Sequence, residues 1–325
     1  METSKRKDLY SQYYLERPKT LNTILVNRLI EEVIVVGSIL GAVYALLALG
    51  FTLIYGVAGV VNMAHGALFM LGAYLFYGFS AQYAKLEPLP ALILAVIVVG
   101  IVGSIIYRVI IHPVVDDILA VMVITVGLVI VIQQWITFPI PYGFGPSHVS
   151  VPPLTGLGMT TVLGVLVNYS KLLAVGVSAA VLAGTWIFIA KSKIGRAMRA
   201  TSQDREVAML MGVNTERLYM LAMGMSASLA AIAGIFIAGG YTTVATPQMW
   251  INPLSMSFAI VILGGLGSIK GSVVGAFIIA YAENAAAFLI VGGGFLASSI
   301  AFAIMVLVLI IRPRGLFGKR VELEE

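Results

Sequence analysis

Apolar residues run through most of this chain in blocks of about twenty, the length an α-helix needs to cross roughly 30 Å of hydrocarbon. Six blocks fit that length closely enough to predict crossing helices, over residues 33–55, 66–79, 89–111, 119–138, 172–190 and 217–239. Three more follow at 253–266, 273–291 and 295–311, the first short and rich in glycine (Gly264, Gly265, Gly267). Short apolar segments interrupted by glycine are how broken or re-entrant membrane helices read in sequence, and 55–66, YGVAGVVNMAHG, has the same character in the first half. The predicted architecture is an all-α, polytopic membrane protein of about eight to ten transmembrane helices with such interrupted segments among them. A polar N-terminal extension over 1–28, a membrane domain over 29–318 and a charged tail over 319–325 complete the plan. Residues 1–28 contain no apolar stretch of the kind a cleaved signal peptide requires.

The charges follow the same partition. Of the 20 Lys and Arg residues, six precede residue 33, six lie in 191–217 and four follow residue 311, leaving Lys85, Arg108, Lys171 and Lys270 for everything between. Away from the termini and that one loop the only carboxylates are Glu87, Asp116, Asp117 and Glu283. A charge at a bilayer centre costs about 2.5–3.5 kcal/mol on insertion scales, so this chain sorts its charges by solvent. With 60% hydrophobic and 11% charged residues and a mean hydropathy of +1.00, it sits far from a soluble domain. The net charge of +5 belongs to membrane-flanking loops without interleaved aromatics, which argues for the positive-inside bias and against nucleic acid. No cysteine is present, and His65, His112 and His148 are the only histidines, so neither disulfide chemistry nor a metal centre is expected.

The charged loop 191–217 carries helix signals of its own. Thr201 or Ser202 is suited to cap a helix with Asp204 in its first turn, Glu206 to Met211 are strong helix formers, and Gly212 is a natural stop. A second cap at Asn214 or Thr215, with Glu216 behind it, opens the next membrane helix near Arg217. The expected product is a capped helix of about ten residues with Val207, Ala208, Leu210 and Met211 on part of its surface. One reading is a solvated loop held near anionic lipid by Arg196, Arg199 and Arg205. The favoured one is a docking helix that inserts its Met and Leu side chains into a groove on a soluble partner.

If this loop and the basic residues Arg312, Arg314, Lys319 and Arg320 share one side of the membrane, four crossings separate them. Counted backward, 139–171 lies on the far side, and Arg108 and the HPVVDD turn return to the loop side. The N-terminus then falls opposite the loop, against the bias of its own six basic residues, unless a crossing near 55–64 is missing from the count. AHGALFMLGAYL (64–75) and GGLGSIKGSVVGAF (264–277) look alike, which suggests an inverted repeat, although two glycine-rich helices also converge through packing alone.

A wider resemblance rests on four stretches. These are GAVYALLALGFTLIYGVAGVVNMAHGALFMLGAY (41–74), GRAMRATSQDREVAMLMGVNTERLYMLAMGMSASLAAIAGIF (195–236), AIVILGGLGSIKGSVVGAFIIAYAE (259–283) and IIRPRGLFG (310–318). Together they resemble the Liv-type branched-chain amino acid ABC permeases, the H-type subunit in particular, over nearly the whole chain from about residue 30. The resemblance implies a permease in the cytoplasmic membrane of a prokaryote. It would work with a second related permease, two ATP-binding subunits and an extracytoplasmic solute-binding protein. It implies no cofactor in this chain, since ATP would be bound by the partners. It also places ATPase coupling in 196–212, with Arg196, Arg199, Asp204, Ala208, Met211 and Gly212 as the expected contacts. The charged N-terminal extension departs from the family pattern and bears on topology.

Within the apolar spans, Asn62, His65, Glu283 and Asn284 are the candidate residues of a translocation path, because an intramembrane ionisable or amide group is a functional candidate by default. Asn62 and His65 could instead satisfy backbone groups freed by a helix break, and Glu283 could serve only an interhelical hydrogen bond. The path for leucine, isoleucine or valine is expected to be weakly polar, with selection left to the external binding protein. The chain holds no Walker-type GxxxxGK[ST] and no Ser/His/Asp or paired-His arrangement, so it is not expected to be an enzyme. Urea or short amides are the alternative cargo within the same class. Two other classes also remain: an ion-coupled carrier that relies on Glu283, and a passive channel.

Overall fold

In the computed structural model, which describes residues 19–139, 143–145, 148–290 and 293–318, eleven α-helices account for the apolar blocks and the charged loop. Helix α1, Lys19–Ala58, is 40 residues long and is followed by an extended break over 59–64 and the 13-residue α2, His65–Tyr77. Helix α3, Pro88–Ile106, continues through a π turn, Tyr107–Ile111, before α4, Ile118–Thr137, begins under the Asp117 carboxylate, which accepts from the amides of Leu119 and Ala120. An irregular segment then carries β1, Val149–Ser150, and the antiparallel hairpin of β2, Met159–Val162, and β3, Val165–Asn168. Next come α5, Tyr169–Lys191, α6, Lys193–Thr201, α7, Arg205–Leu210, and α8, Thr215–Phe236. Strand β4, Val244–Ala245, pairs with β1 ahead of α9, Ile251–Gly264, α10, Ile269–Leu289, and α11, Gly293–Ile311.

Seven of these are long and apolar enough to cross a membrane, and the remaining two apolar blocks cross as an extended half joined to a helical half. The block expected as a crossing helix at 66–79 is therefore a half-helix of 13 residues, and the segment expected to be short and broken at 253–266 is a half-helix of 14. Depth can be read from contacts. The His65 imidazole bonds the Leu47 carbonyl, eleven residues or about 16 Å along α1 from Ala58. A Cβ on Gly66 would lie 2.6 Å from the Trp250 carbonyl oxygen, so α2 and α9 begin side by side near mid-depth and leave in opposite directions.

The two ends of the bundle are chemically distinct. At the loop face, the end of α1, Thr201, Ser202, Arg205, Ser268 and Arg314 surround one cavity, and Asp116 pairs with Arg205 at 2.6 Å. At the hairpin face, the Tyr83 hydroxyl donates to the Gly143 carbonyl at 2.8 Å, and Glu31 reaches Gly164 of the β2–β3 turn. Because α1 runs without interruption to the loop face, its start lies on the hairpin face. The side expected from parity holds for Lys19, at the start of α1. Residues 1–18 of the expected extension and the tail 319–325 lie outside the described residues, and α1 passes straight through the expected boundary at 28/29.

An inverted repeat is visible in the order of elements. A long helix, an extended break, a half-helix and a helical hairpin occur as α1 to α4 and again as α8 to α11, entered from opposite faces because α5 adds one crossing between them. The halves exchange partners: α1 packs most extensively on α10, while α8 packs on α3. Small residues allow these approaches, as where Gly100 and Gly103 of α3 meet Gly224 and Ala227 of α8. The repeat pairs α2 with α9, however, and not 64–75 with 264–277. The latter stretch covers the α9–α10 turn and the first turns of α10, so glycine content matched the wrong elements. Large apolar side chains exposed on α4 (Val123, Ile130, Val131) and α11 (Leu307, Ile310) form the surface expected against lipid tails.

Candidate functional site

The loop between α5 and α8 is built from a succession of caps. The Ser192 hydroxyl accepts from the Gly195 amide at 2.8 Å and starts α6, whose Arg196 side chain donates to the Lys191 carbonyl while that of Arg199 donates to the Ile189 carbonyl. Both guanidinium groups thus satisfy the open carbonyl end of α5, where cations are stabilised by the helix dipole. The expected helix of about ten residues is six residues long, Arg205–Leu210, and a further helix of nine, Lys193–Thr201, precedes it. Thr201 ends the first, the Ser202 hydroxyl turns back to the Arg199 carbonyl, and the cap of the second is Asp204, whose carboxylate accepts from Val207. Asp204 outranks Thr201 and Ser202 because Ser202 and Gln203 form the turn between the helices.

Gly212 ends α7 at φ +82°, a left-handed conformation that costs about 1–2 kcal/mol for residues with a side chain. The amides of Gly212 and Val213 return to the carbonyls of Met209 and Ala208, and Asn214 caps α8 by accepting from Arg217 at 3.0 Å. Ala208 is buried against the membrane domain, whereas Leu210 and Met211 stand 86% and 80% exposed. Two ion pairs fix the loop to the α3–α4 turn: Arg205 to Asp116, and Arg108 to Glu216. The hydrogen-bonded Asp116 carboxylate holds the Arg205 guanidinium above its ordinary range, and the same group lies 5.7 Å from the centre of the Tyr219 ring. The result is a rigid apolar knob projecting from the loop face.

Behind it, a cavity of about 730 Å³ opens between the end of α1, the α6–α7 turn, the α9–α10 turn and residues 313–318. Tyr55, Ser268, Arg205 and Arg314 are among its walls. Backbone amides of Leu316 and Phe317 donate to the carbonyls of Leu263 and Gly264, so the segment after α11 is strapped across the end of α9.

At mid-depth the two breaks are held differently. Asn62 is fully buried, its carbonyl oxygen accepting from the Ala64 amide at 3.0 Å, and the Met63 amide donates to Thr125 on α4. His65 is equally buried, donating from Nε2 to Leu47 and accepting at Nδ1 from the Ser226 hydroxyl at 3.3 Å, which fixes the neutral tautomer. Across from them the Trp250 indole donates to Gln133 at 2.7 Å, and Gln248 and Asn252 are exposed. Neither of these last two amides, nor Gln133 or Trp250, is among the sequence candidates. The signal that could have found them is the proline-flanked break between Pro247 and Pro253, which parallels the break at 59–64.

Glu283 and Asn284 are not brought together with Asn62 and His65. The Tyr44 hydroxyl donates to Glu283 at 2.9 Å across the α1–α10 contact, where Ser38 with Tyr281 and Thr52 with Ser272 form further pairs. Asn284 donates to the Ala280 carbonyl of its own helix. Among the described residues no group of histidines and carboxylates could hold a metal ion.

A family described as branched-chain amino acid transport system / permease component matches residues 33–311. The chain is 30% identical over 291 residues to the high-affinity branched-chain amino acid transport system permease protein BraD of Pseudomonas aeruginosa, covering 87% of this chain and 94% of that protein. It is 30% identical over 302 residues to the LivH permease protein of Escherichia coli K12, with the same coverage, and 26% identical over 304 residues to a probable LivH of Methanocaldococcus jannaschii, covering 91% and 95%. No solved structure matches. With seven crossing helices, two broken crossings and a match over most of its length, the chain is a multi-pass membrane protein that belongs to the branched-chain amino acid transport permease family.

Proposed function

We propose that this chain is the permease subunit of an ABC importer that moves branched-chain or related apolar amino acids inward across the cytoplasmic membrane of a prokaryote, powered by partner ATPases docked on α6 and α7. The observation that carries this reading is the projecting Leu210–Met211 knob, held on a helix capped at both ends and tied by the Arg205–Asp116 ion pair to the α3–α4 turn. An apolar knob on a rigid mount suits insertion into a groove, and it suits the transmission of a rigid-body motion. Asp204, Ala208 and Gly212 shape the knob, Met211 is its contact, and Arg196 and Arg199 hold its base. The loop face is then cytoplasmic, and the partners are two ATP-binding subunits, a second permease and an external solute-binding protein. ATP binding draws the docked loops together and shifts the permease pair between its two open states. No nucleotide or other cofactor is assigned to this chain.

Glu283, paired with Tyr44 between two helices, suits a structural tie better than the proton site of an ion-coupled carrier. Asn62 and His65 suit the bracing of a helix break better than contact with cargo. The test is to isolate the chain from its native membrane in mild detergent and identify what accompanies it. An ATP-binding subunit and a second permease are expected, with the ATPase lost on Met211→Asp and uptake lost on Gly212→Val. Recovery of the chain alone, with uptake that follows an ion gradient, would overturn the proposal. Cargo is decided by the binding protein, so ligand binding to that partner separates leucine, isoleucine and valine from urea and short amides.

A further inference from the structure

Helix α9 is covered on one side only. Met256, Ser257, Ala259, Ile260, Val261, Leu263 and Gly264 are buried, while Ile251 and Asn252 are exposed, Ser255 is half-buried, and Ile262 lines the loop-face cavity. Ile251, Ser255, Phe258 and Ile262 fall three to four residues apart on one stripe of the helix, with Asn252 beside its upper end. The upper end of this stripe is deep in the bundle. Leu254 and the Trp250 carbonyl lie against Gly66, beside the His65 that bonds Leu47, about 16 Å from the loop face. An uncovered amide at that depth cannot face hydrocarbon, because lipid offers it no hydrogen-bond partner and the loss amounts to several kcal/mol per group. The lipid-type surfaces of α4 and α11 behave as required, exposing Val123, Ile130, Leu307 and Ile310.

We propose that the stripe from Ile251 through Ser255 to Ile262, with Asn252 beside it, Gln248 above it and the loop-face cavity below it, is the wall this subunit contributes to a water-filled translocation path. The assignment rests on the importer reading and adds the residues that reading lacks. The chemistry suits a zwitterion with an apolar side chain. The Asn252 amide can accept from an ammonium group and donate to a carboxylate, Ser255 does both through one hydroxyl, and Ile251 and Ile262 present apolar surface beside them. No fixed charge holds the cargo at mid-depth. The Trp250 indole, pinned by Gln133, keeps the top of the half-helix in place while cargo passes.

The chain contains no cysteine, so a single introduced thiol reports on its own surroundings. The complete transporter, reconstituted in liposomes, would carry Asn252→Cys or Ser255→Cys, with Val306→Cys on α11 as the lipid-facing reference and Ser202→Cys as the loop-face reference. A membrane-impermeant, charged methanethiosulfonate is supplied on both sides, and its attachment to this chain is followed by mass. At least tenfold faster modification at 252 and 255 than at 306 is expected, slowed by the transported amino acid and accompanied by loss of ATP-driven uptake. If Asn252→Cys fails to assemble, Ile251→Cys serves in its place. Modification no faster than at 306, while 202 reacts, would overturn the path. Rapid modification at 252 and 255 in a complex without ATP-driven uptake would keep the wall and overturn the importer instead.

Discussion

The two broken crossings occupy equivalent places in the inverted repeat, yet they are finished differently. The first is sealed. Asn62 and His65 direct every polar atom they offer to Ala64, Met223, Leu47 and Ser226, and no solvent reaches them. The second is open, with Gln248 and Asn252 uncovered, while the loop-face cavity is common to both, lined by Gly59 of the first and by Ile262 and Leu266 below the second. A duplicated architecture therefore supplies one break as a fixed brace and one as a working surface. Polar residues in the sealed break should govern stability, and those in the open break should govern transport.

The contrast can be broken most forcefully at Gly66, where the two breaks touch. A Gly66→Leu side chain would meet the Trp250 carbonyl at 2.6 Å and Leu254 Cβ at 2.8 Å, so no assembled complex is expected on size exclusion. Normal assembly would show that α2 and α9 do not meet there. His65→Leu leaves the Leu47 carbonyl and Ser226 hydroxyl without their partner, a loss of about 1–3 kcal/mol that should lower the melting temperature by several degrees. Asn252→Ala should leave that temperature unchanged while uptake falls severalfold, and the opposite pattern in the pair would reverse the roles of the two breaks. Thr125→Val removes the partner of the Met63 amide and should cost about 1 kcal/mol, read as a small melting shift with uptake retained. The smallest effect is expected at Glu283→Gln, outside both breaks, where uptake falls modestly and keeps its pH dependence. Loss of an inward proton current in that variant would favour the carrier.

Much of this was legible in the sequence where the signal was local. Helix length and charge placement define the seven long crossings and the loop, and Gly212 and Asn214 end and begin helices as their chemistry requires. The choice of cap at 201–204 was less legible, because Thr201, Ser202 and Asp204 all suit the role and only the observed turn at Ser202–Gln203 selects Asp204. The second break was expected at the glycines after 263 and not ahead of Ile251, because GGYTTVATPQMW is polar enough to pass for a surface loop and hydropathy carries no information on depth. Depth comes from Gly66 against Trp250, a contact between residues far apart in sequence. The repeat was misaligned for the same reason: glycines recur wherever helices approach closely, in both matching and unmatching elements.

The strap across the end of α9 also bears on how the protein is made. Leu316 and Phe317, which hold the carbonyls of Leu263 and Gly264, are synthesised about fifty residues after the helix they secure. During insertion, α9 must therefore wait with its last turn unfastened until the whole α10–α11 hairpin has entered the bilayer. A ribosome that stalls within that interval leaves a subunit whose open wall has no floor, a natural mark for the membrane proteases that clear unfinished chains.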